Sequence, residues 1–143
     1  EIRAPHQVRS AALRGAVLTR GDDGLPMLVK ALHGNDFTQV AAAVRTAQEM
    51  PGSQVSEVLA GELGELDADR QILVIQTLGK RGDSVAVSAL IAAAKKGDNN
   101  VRIEAIRSLA EIGDLKAAPA LKELAGDSDK DVAKAAKECL VVF

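Results

Sequence analysis

Aromatic side chains are almost absent from this chain. Among 143 residues there is no Trp and no Tyr, and only Phe37 and Phe143 carry a ring. That removes the platforms on which proteins stack bases or sugars. A single cysteine, Cys139, excludes an internal disulfide and leaves the redox compartment undetermined. No apolar run approaches the roughly 20 residues of a membrane span. An excess of one charge is missing too. The 18 basic and 20 acidic residues leave a net charge of −2, so no global field draws in nucleic acid or an anionic membrane. There is no glycine-rich phosphate loop, nucleophile elbow, zinc-ligand spacing or plausible carboxylate pair. No catalytic, cofactor-binding or metal-binding residue can be nominated, and the reading is of a protein that is not an enzyme. The chain opens with Glu1 rather than Met, which suggests a fragment of a larger polypeptide whose compartment is unknown.

What the chain does have is repetition. Leu28, Leu59, Leu90 and Leu121 are each 31 residues apart, and so are Asp36, Asp67, Asp98 and Asp129. A fixed period of this size marks a solenoid, in which each unit buries its apolar face only by stacking on its neighbours. The units run 6–36, 37–67, 68–98 and 99–129, with a partial fifth from 130. Residues 1–143 are therefore read as one repeat domain. Hydrophobic residues make up 47% of the chain, which suits close packing of helices. The local charge is uneven: residues 37–67 hold Arg45 against Glu49, Glu57, Glu62, Glu65 and Asp67, while 68–98 hold five bases against three acids.

The fourth unit shows the grammar. Val101, Ala105, Leu109 and Ile112 recur at helical spacing, with Arg102, Glu104, Arg107 and Glu111 elsewhere. Gly113 ends that helix and Asp114 caps a second one, in which Pro119 lies early enough to cost few backbone bonds. Gly21-Asp22 and Gly82-Asp83 occupy the same turn, and Pro51-Gly52-Ser53 replaces it in the second unit with Ser53 as cap. Ala12, Ala43, Val74 and Ala136 match Ala105, small enough for close approach. The second unit is the most degenerate, with Gln39 where the fourth has Val101. Nine helices are expected near 6–20, 24–34, 37–50, 53–64, 68–81, 83–96, 99–112, 115–125 and 130–141, and no strand. The fold class is all-α, a right-handed α-α superhelix of about four and a half units.

Val101-Arg102, Ala105, Leu109, Ile112-Gly113-Asp114, Ala118-Pro119-Ala120-Leu121 and Asp129 together resemble the short HEAT-like repeats of phycobilisome lyases. The resemblance covers the chain, loosely in the second unit. It implies a solenoid with first helices on the convex face and second helices on the concave face. It does not imply lyase activity.

Several residues invite a functional reading. Arg20-Gly21-Asp22 and Arg81-Gly82-Asp83 are the adhesion triplet, but Ile112-Gly113-Asp114 shows the Gly-Asp to be a helix break, and the arginines read as surface residues. His6 and His33 are 27 apart without a ligand partner and read as solvated. Cys139 reads as a small, partly buried apolar residue. The Asp series reads as N-caps rather than a cation ladder. Arg14, Arg45 and Arg107 form a row that reads as solvated or ion-paired. The apolar end Leu140-Val141-Val142-Phe143 should fold back on the fourth unit or meet another chain, which would make it a route to self-association.

The remaining candidate is a stripe one residue before the inward leucines: Met27, Val58, Ala89 and Ala120, flanked by Lys30, Gly61, Ala92 and Glu123. A small, apolar line across the second helices suits a helix or an extended peptide, provided the four side chains are at least partly accessible. The expected function is a non-catalytic protein-protein interaction scaffold. The alternative is an accessory HEAT-like module of an enzyme, lyase-associated or substrate-holding, with a nucleic-acid module third.

Overall fold

The computed structural model describes residues 5–143, apart from the side chains of His6 and Asp22. The sequence reading of His6 as a solvated side chain therefore lies outside the described residues. Among the described residues nine α-helices follow in order: α1 (His6–Arg20), α2 (Leu25–Leu32), α3 (Phe37–Glu49), α4 (Ser53–Glu62), α5 (Ala68–Arg81), α6 (Val87–Lys95), α7 (Asn99–Ile112), α8 (Ala118–Leu124) and α9 (Lys130–Leu140). Among the described residues there is no strand. The first helices α1, α3, α5, α7 and α9 pack on one another in chain order, while α2, α4, α6 and α8 form a second, sparser layer. Each unit is covered by its neighbours in sequence, as a solenoid requires.

Capping sets the start of each first helix after α1. Asp36 accepts from the Thr38 amide at 3.0 Å, Asp67 from Arg70 at 3.1 Å and Asp98 from Asn100 at 2.8 Å. Asp129 accepts from both Asp131 and Val132 at 3.0 Å. All four carboxylates satisfy amides that lack an intrahelical partner. At the other end, α5 and α7 stop at Gly82 and Gly113, both with φ of 73°, a left-handed conformation that glycine adopts without strain.

The second helices are shorter than expected. The segments read as helix from 83 and 115 open with tight turns, Ser84–Ala86 and Leu115–Ala117, before the α-helix begins. Asp114 caps its turn through the Lys116 amide at 2.9 Å, but Asp83 makes no such bond. Ser53 is not a cap either. It is the first residue of α4, with Gly52 in the cap position at φ 91°.

Two periodic features recur, one between first helices and one between the layers. Thr46, Thr77 and Ser108, 31 apart, are all buried and all hydrogen-bonded. Thr46 donates to the Ala42 carbonyl, Gln48 donates to the Thr77 hydroxyl, and Ser108 donates across to Ile75 at 2.9 Å. A β-carbon added at Gly79 would lie 2.8 Å from the Ser108 oxygen, so the Ser108 side chain packs directly on the backbone of α5 there. The other feature caps second helices at their C-termini. Gln71 donates to the Leu63 carbonyl at 2.8 Å, and Arg102, its counterpart one unit on, donates to Ala94 at 2.9 Å. Val40 holds that position in the second unit and has no donor, and Arg70 reaches the Leu32 carbonyl from the third unit at 2.8 Å instead.

Candidate partner-binding face

The stripe residues sit on the second-helix layer, with unequal access. Met27, Val58 and Ala89 are half-buried, and Lys30, Gly61 and Ala92 are exposed. Ala120 is only 7% exposed, so the continuous four-residue stripe does not form and its accessible part ends at Ala89. Glu123 is exposed but pairs with Lys95 of the preceding unit at 3.4 Å. Its charge is therefore already engaged, though an exposed pair of this kind holds weakly.

What the structure adds is a groove. Between α4 and α6 lies an open cavity of about 440 Å³, lined by Ala60, Gly64, Ala89, Ala92 and Ala93, with Lys96 at its mouth. Leu63 and Val101, both buried, lie at its base. Its walls are short because Ala60 of α4, Gly64 in the turn after it, and Ala89, Ala92 and Ala93 of α6 carry side chains of one carbon or none. Ala89 and Ala92 belonged to the stripe, whereas Ala60, Gly64 and Lys96 were missed. Nothing in the 31-residue spacing marked Gly64, which lies in the turn just after α4.

The other candidates resolve into structure. Arg81 is not a surface residue: its side chain is 7% exposed. It donates to the carbonyls of Met50 at 2.6 Å and Gly52 at 2.8 Å, to Ala47, and to the Ser56 hydroxyl at 2.8 Å. Asp83 accepts from Arg81 and Ser56. The triplet is an internal tie between the second and third units. His33 is not simply solvated, since its Nε2 lies 2.6 Å from Glu62 of the next unit. Arg14 makes a two-pronged pair with Glu49 at 2.6 and 2.9 Å, which raises the arginine and holds the Glu49 carboxyl below its usual range. Arg107 lies 3.8 Å from Glu104.

Asp127 is held below its usual range by the Arg102 guanidinium at 2.6 Å and by the Asp129 amide. For Asp36, burial pulls the other way, but the hydrogen bond from Arg9 and the amides of Thr38 and Gln39 leave it lowered. Burial pushes the Cys139 thiol up, away from reactivity. Among the described residues no group of three or more His, Cys, Asp or Glu side chains could hold a metal ion, and no helix is long and apolar enough to cross a membrane.

At the C-terminal end Phe143 is half-buried against the core, while Val141 and Val142 are exposed. The outer side of α9 carries Lys134, Lys137 and Glu138 where α7 has Ile103, Ile106 and Arg107. That is the polar face a terminal repeat needs.

Comparison with known proteins agrees with this architecture. A human deoxyhypusine hydroxylase, solved in complex with glycerol, aligns over 83% of this chain at 24% identity and a TM-score of 0.75. The chain spans 43% of that structure, and the likeness is one of fold. Comparison with curated proteins found no match. The profile of HEAT repeats matches residues 57–141, more than half of the chain, without singling out the lyase type. With its capped helical pairs stacked at a 31-residue period, the chain belongs to the HEAT-repeat family.

Proposed function

We propose that the chain is a non-catalytic scaffold that binds a protein partner on its second-helix layer, at the groove between α4 and α6. The observation that carries this reading is the 440 Å³ groove itself, walled by Ala60, Gly64, Ala89, Ala92 and Ala93. Small walls leave room for a partner's larger side chains, and desolvating them favours apolar anchors. Lys96 at the mouth favours a carboxylate beside the anchor. The partner chemistry is thus an apolar peptide or helix with an acidic neighbour. Panning a displayed peptide library on the chain should enrich such sequences. Ala89→Arg or Ala92→Arg should abolish their binding while leaving helical content and melting temperature nearly unchanged. Enriched peptides that ignore both substitutions would move the site elsewhere.

A second reading is an accessory module of an enzyme. Its support is the shared fold with a hydroxylase of which this chain spans 43%. A catalytic domain in the same polypeptide would favour it. Steeply salt-dependent DNA binding would instead favour a nucleic-acid module.

A further inference from the structure

The groove between α4 and α6 has two unlike ends. Its walls include Leu63 and Gly64, just past the end of α4, and Lys96 and Gly97, just past the end of α6. The C-terminal ends of two helices therefore share one mouth, where their dipoles are negative. Lys96 stands there on the α6 side, and Glu65, 31 residues earlier, on the α4 side. Both are exposed, and among the described residues neither makes an ion pair. By contrast, Glu62 and Glu123 of the same layer are held by His33 and Lys95. From Lys96 a line of accessible residues runs back through Ala92 and Ala89 to Val85, at spacings of four, three and four. That is the spacing of one helical face. It carries a cation at one end, two methyls in the middle and an exposed valine at the other.

On the reading that the groove is the binding site, we infer that its occupant is an α-helix antiparallel to α4 and α6, with its N-terminus at the Lys96 mouth. Apart from Lys96, the only polar side chain in the walls is Gln71, whose amide already donates to the Leu63 carbonyl at 2.8 Å. An extended segment pressed against alanines would leave amides without partners, whereas a helix brings its backbone bonds with it. Direction follows from charge. A helix N-terminus carries positive partial charge, which suits Glu65 and the C-terminal ends of α4 and α6. An acid in its first turn stabilises the partner helix itself and meets Lys96. The reverse direction would bring three negative helix ends together. Lys96 and Val85 are eleven residues apart, about 16 Å along a helix. The partner therefore carries an acid in its first turn and large apolar residues four, seven and eleven positions on. The first two fill the space over Ala92 and Ala89, and the last meets Val85.

Two helix-stapled peptides of equal composition and helicity test this by fluorescence anisotropy at low ionic strength. One carries Glu first and apolar residues at those spacings, and the other carries the same residues in reverse order. The first should bind about tenfold more tightly, and Lys96→Glu should erase that advantage. Its unstapled, isotope-labelled form should show helical backbone chemical shifts when bound. Ala89→Arg or Ala92→Arg should block both peptides. Equal affinity for the two orders, an advantage that survives Lys96→Glu, or extended shifts in the bound peptide would each overturn the inference, and the groove would stand as the site if the arginines still block. No binding of either peptide, or binding indifferent to both arginines, would overturn the groove reading and this inference with it.

Discussion

The second and fourth units reach the same hairpin by different routes. In the fourth, Gly113 turns the chain in the left-handed conformation and Asp114 caps the tight turn after it, all within a few residues. The second has neither. Its turn, Met50-Pro51-Gly52, is held from outside by Arg81 of the third unit, about 30 residues away, through the carbonyls of Ala47, Met50 and Gly52. The fourth unit carries Ile112 where the third carries Arg81. A repeat can thus lose its local signals and keep its shape when a neighbour supplies the missing donors. The cost is dependence: the second unit's turn is only as stable as its contact with the third.

That contrast can be broken most directly at Arg81. Arg81→Met keeps the bulk but strips the donors from three carbonyls and from Asp83, and should cost about 3 kcal/mol in denaturant unfolding. Hydrogen exchange should rise first at residues 47–56 and much less at 110–117. Uniform acceleration, or a cost no larger than that of Asp114→Ala, would erase the distinction between the units.

Gly113→Ala comes next. A side chain at φ of 73° should destabilise by about 1–2 kcal/mol, with the effect confined to the α7–α8 turn. Gly61→Ala, in the last turn of α4 with open space around its β-carbon, should instead stabilise, by less than about 1 kcal/mol. Equal signs for the two substitutions would mean that turn geometry is not what the fourth unit relies on.

Removing a cap should act similarly in either region. Asp36→Ala, Asp98→Ala and Asp129→Ala should each cost roughly 0.5–2 kcal/mol. Thermal melts with and without a chelator should agree. A chelator-dependent melt would revive a cation role for these carboxylates.

The smallest effect is that of acid. Asp36, Glu49, Asp114 and Asp127 all titrate below their usual values in the folded chain. Between their folded and unfolded values the unfolded chain binds more protons, so their stabilisation is present above the ordinary carboxylate range near pH 4 and is lost as pH falls further. The melting temperature should be flat from neutrality to about pH 5 and decline below about pH 4. Asp127→Asn should shallow that decline, and an unchanged slope would count against the Arg102 pair as its source.

Much of the fold was legible from residue spacing, because its signals are local. Asp36, Asp67, Asp98 and Asp129 act within three residues, so a period in the sequence is a period in capping. Gly82 and Gly113 end helices by their own backbone freedom. Where the sequence reading went astray, the deciding partner was distant. Asp83 looked like a cap by alignment with Asp114, and Ser53 by its residue type, but Asp83 is held by Arg81 and Ser56, and Gly52 takes the position that Ser53 was assigned. Of the candidate site, the spacing located the layer and two of the groove's walls, Ala89 and Ala92.

By itself the sequence determined the first helices, their aspartate caps, the order of the helices and the 31-residue stacking, because helical periodicity, glycine conformation and aspartate capping act between residues close in the chain. Only the tertiary structure decided which small side chains face solvent. It buried Ala120, engaged Glu123 with Lys95, drew Arg81 inside and opened the groove between α4 and α6. Each of these depends on where a helix some 30 residues away comes to rest. An alanine carries no mark in the sequence that distinguishes a buried methyl from an exposed one.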